Sequence, residues 1–347
     1  MSLINYLTRI HFAEHVLEDA LGLEIARLGG RRPLILFDPD GAASCARSLI
    51  EDTIPASCAA MWCEESAFAC DTADMPCRRD RDTVKSTGCD LVVAFGGTAA
   101  QEAGRRIAVA RSPRLPLVAI PTTTSDIGLP TRATSAHPVL PDAILCDPTL
   151  TYWLASDRTA AHGFDALTRC IEAFLAPGFN PPADGIALEG VHLLSCHLEA
   201  AVTEGDRPET RRYVMAAALN AALAGQKGLG GVEALTRAIS AECGAGRPQG
   251  YHHASVLPRV LNFNEPAVGD RYARLAVALQ TPPKDDPIQA LTELGTRIGL
   301  PDRIGHLGLA PAALRRVARN AAADPASQTN PRHATQADYL DLLAQAV

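Results

Sequence analysis

Residues 90–108 read DLVVAFGGTAAQEAGRRIA. The apolar, β-branched run at 90–95 ends directly in Gly96-Gly97-Thr98, and residues 99–110 then repeat their apolar side chains at helical spacing. A strand that passes through paired glycines into a helix aims backbone N–H groups and a helix N-terminus at one point, an arrangement suited to a diphosphate. The same pattern also makes an ordinary tight turn. The flanking sequence has to decide between the two.

Further short apolar runs stand at 33–38 (PLILFD), 59–63, 117–121 (LVAIP) and 143–146 (AILC), with amphipathic stretches such as 42–51 between them. Continuous apolar strands alternating with helices predict a parallel sheet covered on both faces. After Asp147-Pro148 the pattern changes to 3.6-residue periodicity with no convincing strand. The predicted helices lie at about 157–175, 182–203, 208–225, 231–243, 251–263, 267–280, 287–299, 311–322 and 335–346. The expected architecture is therefore an α/β, Rossmann-like nucleotide-binding domain over 1–155 and an all-α domain over 156–347. A cleft between them is the default position for an active site.

Composition narrows the partners. A net charge of −7 with scattered arginines gives no basic field for nucleic acid. No apolar run reaches the length needed to cross a bilayer, and the opening MSLINYLTRIHFAEH is too polar for a signal peptide, so a cytoplasmic protein is expected. Ten cysteines without a CxxC pair read as free thiols; the spacing of Cys58, Cys63, Cys70 and Cys77 matches no common zinc knuckle. Lysine occurs only as Lys85, Lys227 and Lys284, and no GxxxxGK[ST] is present, which leaves Schiff-base and P-loop chemistry poorly supplied. Asp38, in FDPDG after the first strand, is placed to bond a ribose 2′-OH and to repel a 2′-phosphate; an Asp-Pro-Asp-Gly turn explains it equally.

These segments together resemble the iron-containing (group III) alcohol dehydrogenase superfamily, whose fold is shared with dehydroquinate synthase. VVAFGGTAAQEAGRRIA is similar to its GGGSxxDxAK loop and IPTTTSDIG to its IPTTxxGSE segment. HGFDALTRCIEAFLAP resembles the metal-helix motif, small-Gly-x-Asp-Ala-Leu-x-His-x-x-Glu-Ala, while GLGGVEALTRAIS and GRPQGYHHASVLPRVLNFN resemble the GxxHxxxH and PHGxxNAxxLPxVxxFN segments. The resemblance implies NAD bound by Asp38, Gly96, Gly97, Thr98, Thr122 and Thr123, with NADH preferred over NADPH, and a homodimer.

The departures fall on the chemistry. The family binds its metal with one aspartate and three histidines. The aspartate matches Asp165, but the histidine positions hold Arg169, Glu233 and Gln249, and a further family histidine is Arg237. The loop's aspartate and lysine positions hold Gln101 and Gly104. Guanidinium offers no lone pair, so no functional metal is expected; Asp165, Glu233 and His253 are the one ligand set the chain could supply. Asp165 with Arg169, and Glu233 with Arg237, stand four apart on their helices and are expected to pair there, with the arginines taking the place of the cation. Arg247 is a weaker third cation.

His253 is the candidate proton carrier, with His252 pointing elsewhere. The maleylacetate reductase branch, generally regarded as working without metal, has a histidine at this position, and its CxEAxxAP run resembles CIEAFLAP. The expectation is a metal-independent oxidoreductase reducing a carbonyl or enone on a small anionic substrate. A non-redox NAD-using lyase or cyclase and a non-catalytic homologue are the rivals.

Overall fold

A computed structural model describes residues 8–38, 42–64, 77–129, 139–244, 250–282 and 286–347, the side chains of 42–46 apart. They form two compact units that meet in sequence at Leu154 and Ala155. The strands of the first are β1 (Arg9–Phe12), β2 (Pro33–Phe37), β3 (Met61–Glu64), β4 (Leu91–Gly96), β5 (Leu117–Pro121) and β6 (Ala143–Cys146); its helices are α1 (Val16–Arg27), α2 (Ala42–Thr53), α3 (Arg78–Thr87) and α4 (Thr98–Ala108). All strand pairs are parallel, in the order β1-β6-β5-β4-β2-β3.

Two cores cover the sheet. Ile35, Val93, Phe95, Val118 and Ile120 pack with Leu17, Leu21 and Ile25 of α1 on one face. Their strand neighbours Leu34, Leu36, Val92, Ala94 and Leu117 pack with Val84 of α3 and Ile107 of α4 on the other. That is why the strands read as unbroken apolar runs. Strand β1 was not expected from the sequence. It is a four-residue edge strand, RIHF, whose Arg9 and His11 both bond the buried carboxylate of Glu24 on α1. Pairing with β6 and these tertiary bonds to Glu24, not an apolar pattern, hold it.

The strand order also locates a binding point. From β2 the chain passes outward to β3 and then crosses back to β4 on the opposite side of β2. In open α/β sheets, ligands bind outside the carboxyl ends of strands at such a reversal. Asp38 and Gly96-Gly97 follow the carboxyl ends of those two strands.

The second unit is helical: α5 (Ser156–Leu175), α6 (Pro181–Thr203), α7 (Pro208–Ala224), α8 (Gly231–Cys243), α9 (Gly250–Val268), α10 (Arg271–Ala278), α11 (Pro287–Arg297), α12 (Pro311–Ala323) and α13 (Gln336–Ala346). Helix α5 is its axis, for from Thr159 to Leu175 every residue except Arg169 is buried. A helix buried all round must satisfy its polar side chains inside the protein. Gly250 lets α9 cross α5 closely; a Cβ there would stand 1.7 Å from the carbonyl oxygen of Ala161.

Helix α9 runs unbroken through Pro258 and Pro266, where the sequence predicts one helix ending at 263 and another beginning at 267. Its buried face, including Leu257, Val260, Leu261 and Asn264, outweighs the roughly 3 kcal/mol that an interior proline costs. Among the described residues no helix is long and apolar enough to cross a membrane, and the cysteines from Cys58 to Cys243 that are described are free. Cys70 lies outside the described residues.

Candidate active site

In the first unit, Gly96 has φ 148°, a conformation open chiefly to glycine, and a Cβ on it would lie 2.6 Å from Asp38 Oδ2. The same oxygen accepts the N–H of Gly97 at 2.6 Å. Asp38 therefore braces the glycine turn as well as standing at the end of β2. Gln101, which the resemblance implies stands in for the family's aspartate, is buried, and its amide donates to the carbonyls of Ala94 (3.0 Å) and Gly96 (3.1 Å). Helix α4 packs hard on β4 at Gly104, where a Cβ would come 2.6 Å from that of Ala94.

Helix α4 begins at an exposed Thr98 with Gly97 as its cap and no side chain on its first N–H groups, which leaves donors facing outward. Thr122 is buried and its N–H bonds the carbonyl of Gly96. The buried Thr123 hydroxyl oxygen has no hydrogen-bond partner and stands next to Gly97.

In the helical unit, α5, α8 and α9 bring Asp165, Arg169, Glu233 and His253 together. Arg169 Nε donates to Asp165 Oδ1 at 3.1 Å, and its Nη2 lies 3.7 Å from Glu233 Oε1. His253 Nδ1 stands 3.1 Å from the same Asp165 oxygen, and its Nε2 3.7 Å from Glu233 Oε2. The first of these has hydrogen-bond length without hydrogen-bond alignment, so Nδ1 has no hydrogen-bond partner. Nε2 meets the hydroxyl of Thr236 at 2.9 Å, and that hydroxyl reaches the carbonyl of Glu233 at 3.2 Å. Both Glu233 oxygens are buried without a hydrogen bond.

The start of α8, which carries Glu233 in its first turn, is pinned from outside. Glu172 of α5 accepts the N–H groups of Val232 (2.7 Å) and Glu233 (3.1 Å), and Asn330 accepts that of Gly231 (2.9 Å). These are three of the helix's free N-terminal donors. Burial, reinforced by the charge of Glu233, pushes the Glu172 carboxyl up to about 7, against the opposing pull of the two N–H bonds. One turn before Asp165, His162 is buried on the same face of α5 with Nδ1 unpartnered, and desolvation holds its ring down to about 4 although the charge of Asp165 opposes this.

Two expectations need correcting or setting aside. Arg237 does not pair with Glu233: its Nη1 lies 3.3 Å from Asp324 Oδ1, because the segment after α12 offers a carboxylate of its own, one that burial raises and Arg237 partly lowers. Gln249 and Arg247 lie outside the described residues. Glu172, Thr236 and His162 were not singled out beforehand. Glu172 stood in the quoted helix motif, Thr236 one turn after Glu233, and His162 where that motif has a small residue.

Asp165, Glu233 and His253 place one ligand atom each within 4.8 Å of one another, and the nearest fixed cation is Arg169. The group can balance charge, bind a cation, or present a charged N–H to a developing oxyanion.

Residues 159–347 match the C-terminal family of Fe-containing alcohol dehydrogenases. Over its whole length and that of the relative, the chain is 34% identical to a 4-hydroxybutyrate dehydrogenase of Cupriavidus necator. Its fold is that of a 1,3-propanediol oxidoreductase (TM-score 0.88, 23% identity, all of both chains) and of maleylacetate reductase from Agrobacterium tumefaciens (TM-score 0.80, 23% identity, all of this chain and 98% of the other). A conserved architecture over the full length, a matching C-terminal half and a full-length relative at this identity together establish that the chain belongs to the iron-containing alcohol dehydrogenase family of oxidoreductases.

Proposed function

We propose that the chain is an NAD(H)-dependent oxidoreductase that interconverts hydroxyl and carbonyl, or reduces an enone, on a small carboxylate-bearing molecule, without a bound metal. The observation that carries the reading is the position of Arg169. Its guanidinium lies against Asp165 at 3.1 Å and Glu233 at 3.7 Å, among the side chains that a metal would need. A dication ligated by those carboxylates would meet a fixed like charge and a residue with no lone pair. With Arg169 in place, the residues present do not fit the family's metal.

A nicotinamide cofactor, which Asp38 and the Gly96-Gly97 turn would hold, would supply hydride to a carbonyl carbon, and the oxygen would then need a proton. Arg169 offers a charged N–H to the oxygen as negative charge grows there. His253, bonded through Nε2 to Thr236 and facing Asp165 and Glu233, moves the proton within the buried cluster. Arg237, with 29% of its side chain exposed and Asp324 beside it, is a second cation that can meet the substrate carboxylate. The name of the Cupriavidus necator relative supports a short ω-hydroxy or ω-oxo acid. On the cofactor side, the carboxylate of Asp38 beside Gly97 supports NADH over NADPH.

The test combines elemental analysis of the purified protein with nicotinamide absorbance assays on 4-hydroxybutyrate, its homologues and uncharged diols of equal length. Expected are no stoichiometric iron or zinc, and turnover on the acids but not the diols. Stoichiometric metal, with activity lost to chelators and restored by the ion, would contradict the metal-free part. Binding of NADH without net redox change on any substrate would favour the lyase reading.

A further inference from the structure

Glu233 and His253 both carry buried polar atoms without a hydrogen bond. Glu233 is 1% exposed with neither carboxylate oxygen hydrogen-bonded, and His253 is 0% exposed with Nδ1 unpartnered. Burying a carboxylate in this way costs several kcal/mol unless a cation stands beside it. Arg169 is that cation, bridging Asp165 on its own helix and Glu233 on α8.

The side chains around the guanidinium have the marks of a ligand set. The Thr236 hydroxyl donates to the Glu233 carbonyl and meets His253 Nε2 at 2.9 Å, while the other ring nitrogen, Nδ1, stands 3.1 Å from Asp165 without a hydrogen bond. Glu233 projects from the first turn of a helix whose N-terminus Glu172 and Asn330 hold in place. One donor atom from each of Asp165, Glu233 and His253 falls within 4.8 Å of the others, and three protein donors are what an open divalent site uses. Without the arginine, two carboxylates and an imidazole would be left to complement a borderline dication such as Zn2+ or Co2+.

We propose that Asp165, Glu233 and His253 form a latent divalent-cation site that the Arg169 guanidinium fills, so that the arginine and a metal ion exclude each other. The inference rests on the metal-free reading above. Its ligand set is the one the sequence left available, completed by His253, which the resemblance does not place among the family's ligands.

The experiment uses the full chain, stripped with chelator and dialysed. Zn2+ is titrated calorimetrically and Co2+ by its visible absorption, into wild type, Arg169→His, Arg169→Met and Arg169→His/Glu233→Gln. Thermal melts are recorded with and without Zn2+. Arg169→His should bind one ion per chain about a hundredfold or more tighter than wild type. Zn2+ should raise its Tm and leave that of wild type unchanged. Arg169→Met, which adds no donor, should bind more weakly than Arg169→His and better than wild type, and Glu233→Gln should abolish the gain.

One ion bound per wild-type chain would overturn both this inference and the metal-free reading. A folded Arg169→His that binds no better than wild type would overturn the inference alone. If Arg169→His folds only when Zn2+ is present, the proposal is supported; if it folds under neither condition, the comparison of Arg169→Met with wild type decides it in the same way.

Discussion

Replacing Arg169 by alanine removes one guanidinium from two buried carboxylates, and the structure allows the consequence to be sized. Breaking a fully buried ion pair costs about 3–5 kcal/mol, mostly because the remaining charge is stranded. Here 15% of the arginine side chain is exposed and its second contact, to Glu233, is 3.7 Å long, so water can replace part of the loss. A destabilisation of about 2–3 kcal/mol is expected, small enough for the protein to remain folded. Loss of a charged donor from a developing oxyanion costs about 3 kcal/mol in the transition state, or roughly a hundredfold in kcat/KM. Denaturant melts should show the first effect, and nicotinamide absorbance assays on the ω-oxo acid the second, with NADH affinity little changed. Adding Glu233→Gln should restore part of the stability, since a neutral amide needs no cation while Asp165 stays unbalanced, and should leave turnover low. Near-normal turnover in both Arg169→Ala and Arg237→Ala would refute the reasoning, and the two arginines would then be structural ion pairs only.

Three further outcomes are expected. Asp38→Ala should narrow the preference for NADH over NADPH and, because Asp38 braces Gly97, weaken both cofactors; equal selectivity before and after, measured by fluorescence titration, would remove Asp38 from cofactor discrimination. His162 is held from an ordinary 6.5 down to about 4, so the stability this gives is present above pH 6.5 and lost as pH falls toward 4, by about 3 kcal/mol at most. His162→Leu should flatten that part of the pH profile in denaturant melts from pH 7.5 to 4.5, and an unchanged slope would show that the ring is not so held. Gly250→Ala should cost 3 kcal/mol or more, since its Cβ would meet backbone of α5 at 1.7 Å and only a shift of a helix could relieve it; a Tm within a degree or two of wild type would contradict the close crossing.

Much of the fold was legible because secondary structure is written in local periodicity. The apolar runs at 33–38, 90–95, 117–121 and 143–146 could be little other than buried parallel strands, and the helices of the second half recur at 3.6 residues with caps near their ends. What escaped was held by distant partners. Strand β1 carries no apolar signature and is secured by Glu24, and α9 continues through Pro258 because its buried face is worth more than the proline costs.

The site divides in the same way. By itself the sequence determined that Asp165 and Arg169 share a helix face, because residue identity and i, i+4 spacing are properties of the chain alone; that Arg169 and Glu233 stand where the family has histidines is what the resemblance implies. Only the tertiary structure decided that Arg169 reaches across to Glu233, that Arg237 turns instead to Asp324, and that Glu172 pins the helix from which Glu233 projects. A charged side chain spans several ångströms and pairs with whichever carboxylate the packing of neighbouring helices brings within reach, and that choice is made by contacts sixty to ninety residues apart in sequence, where no local pattern can record it.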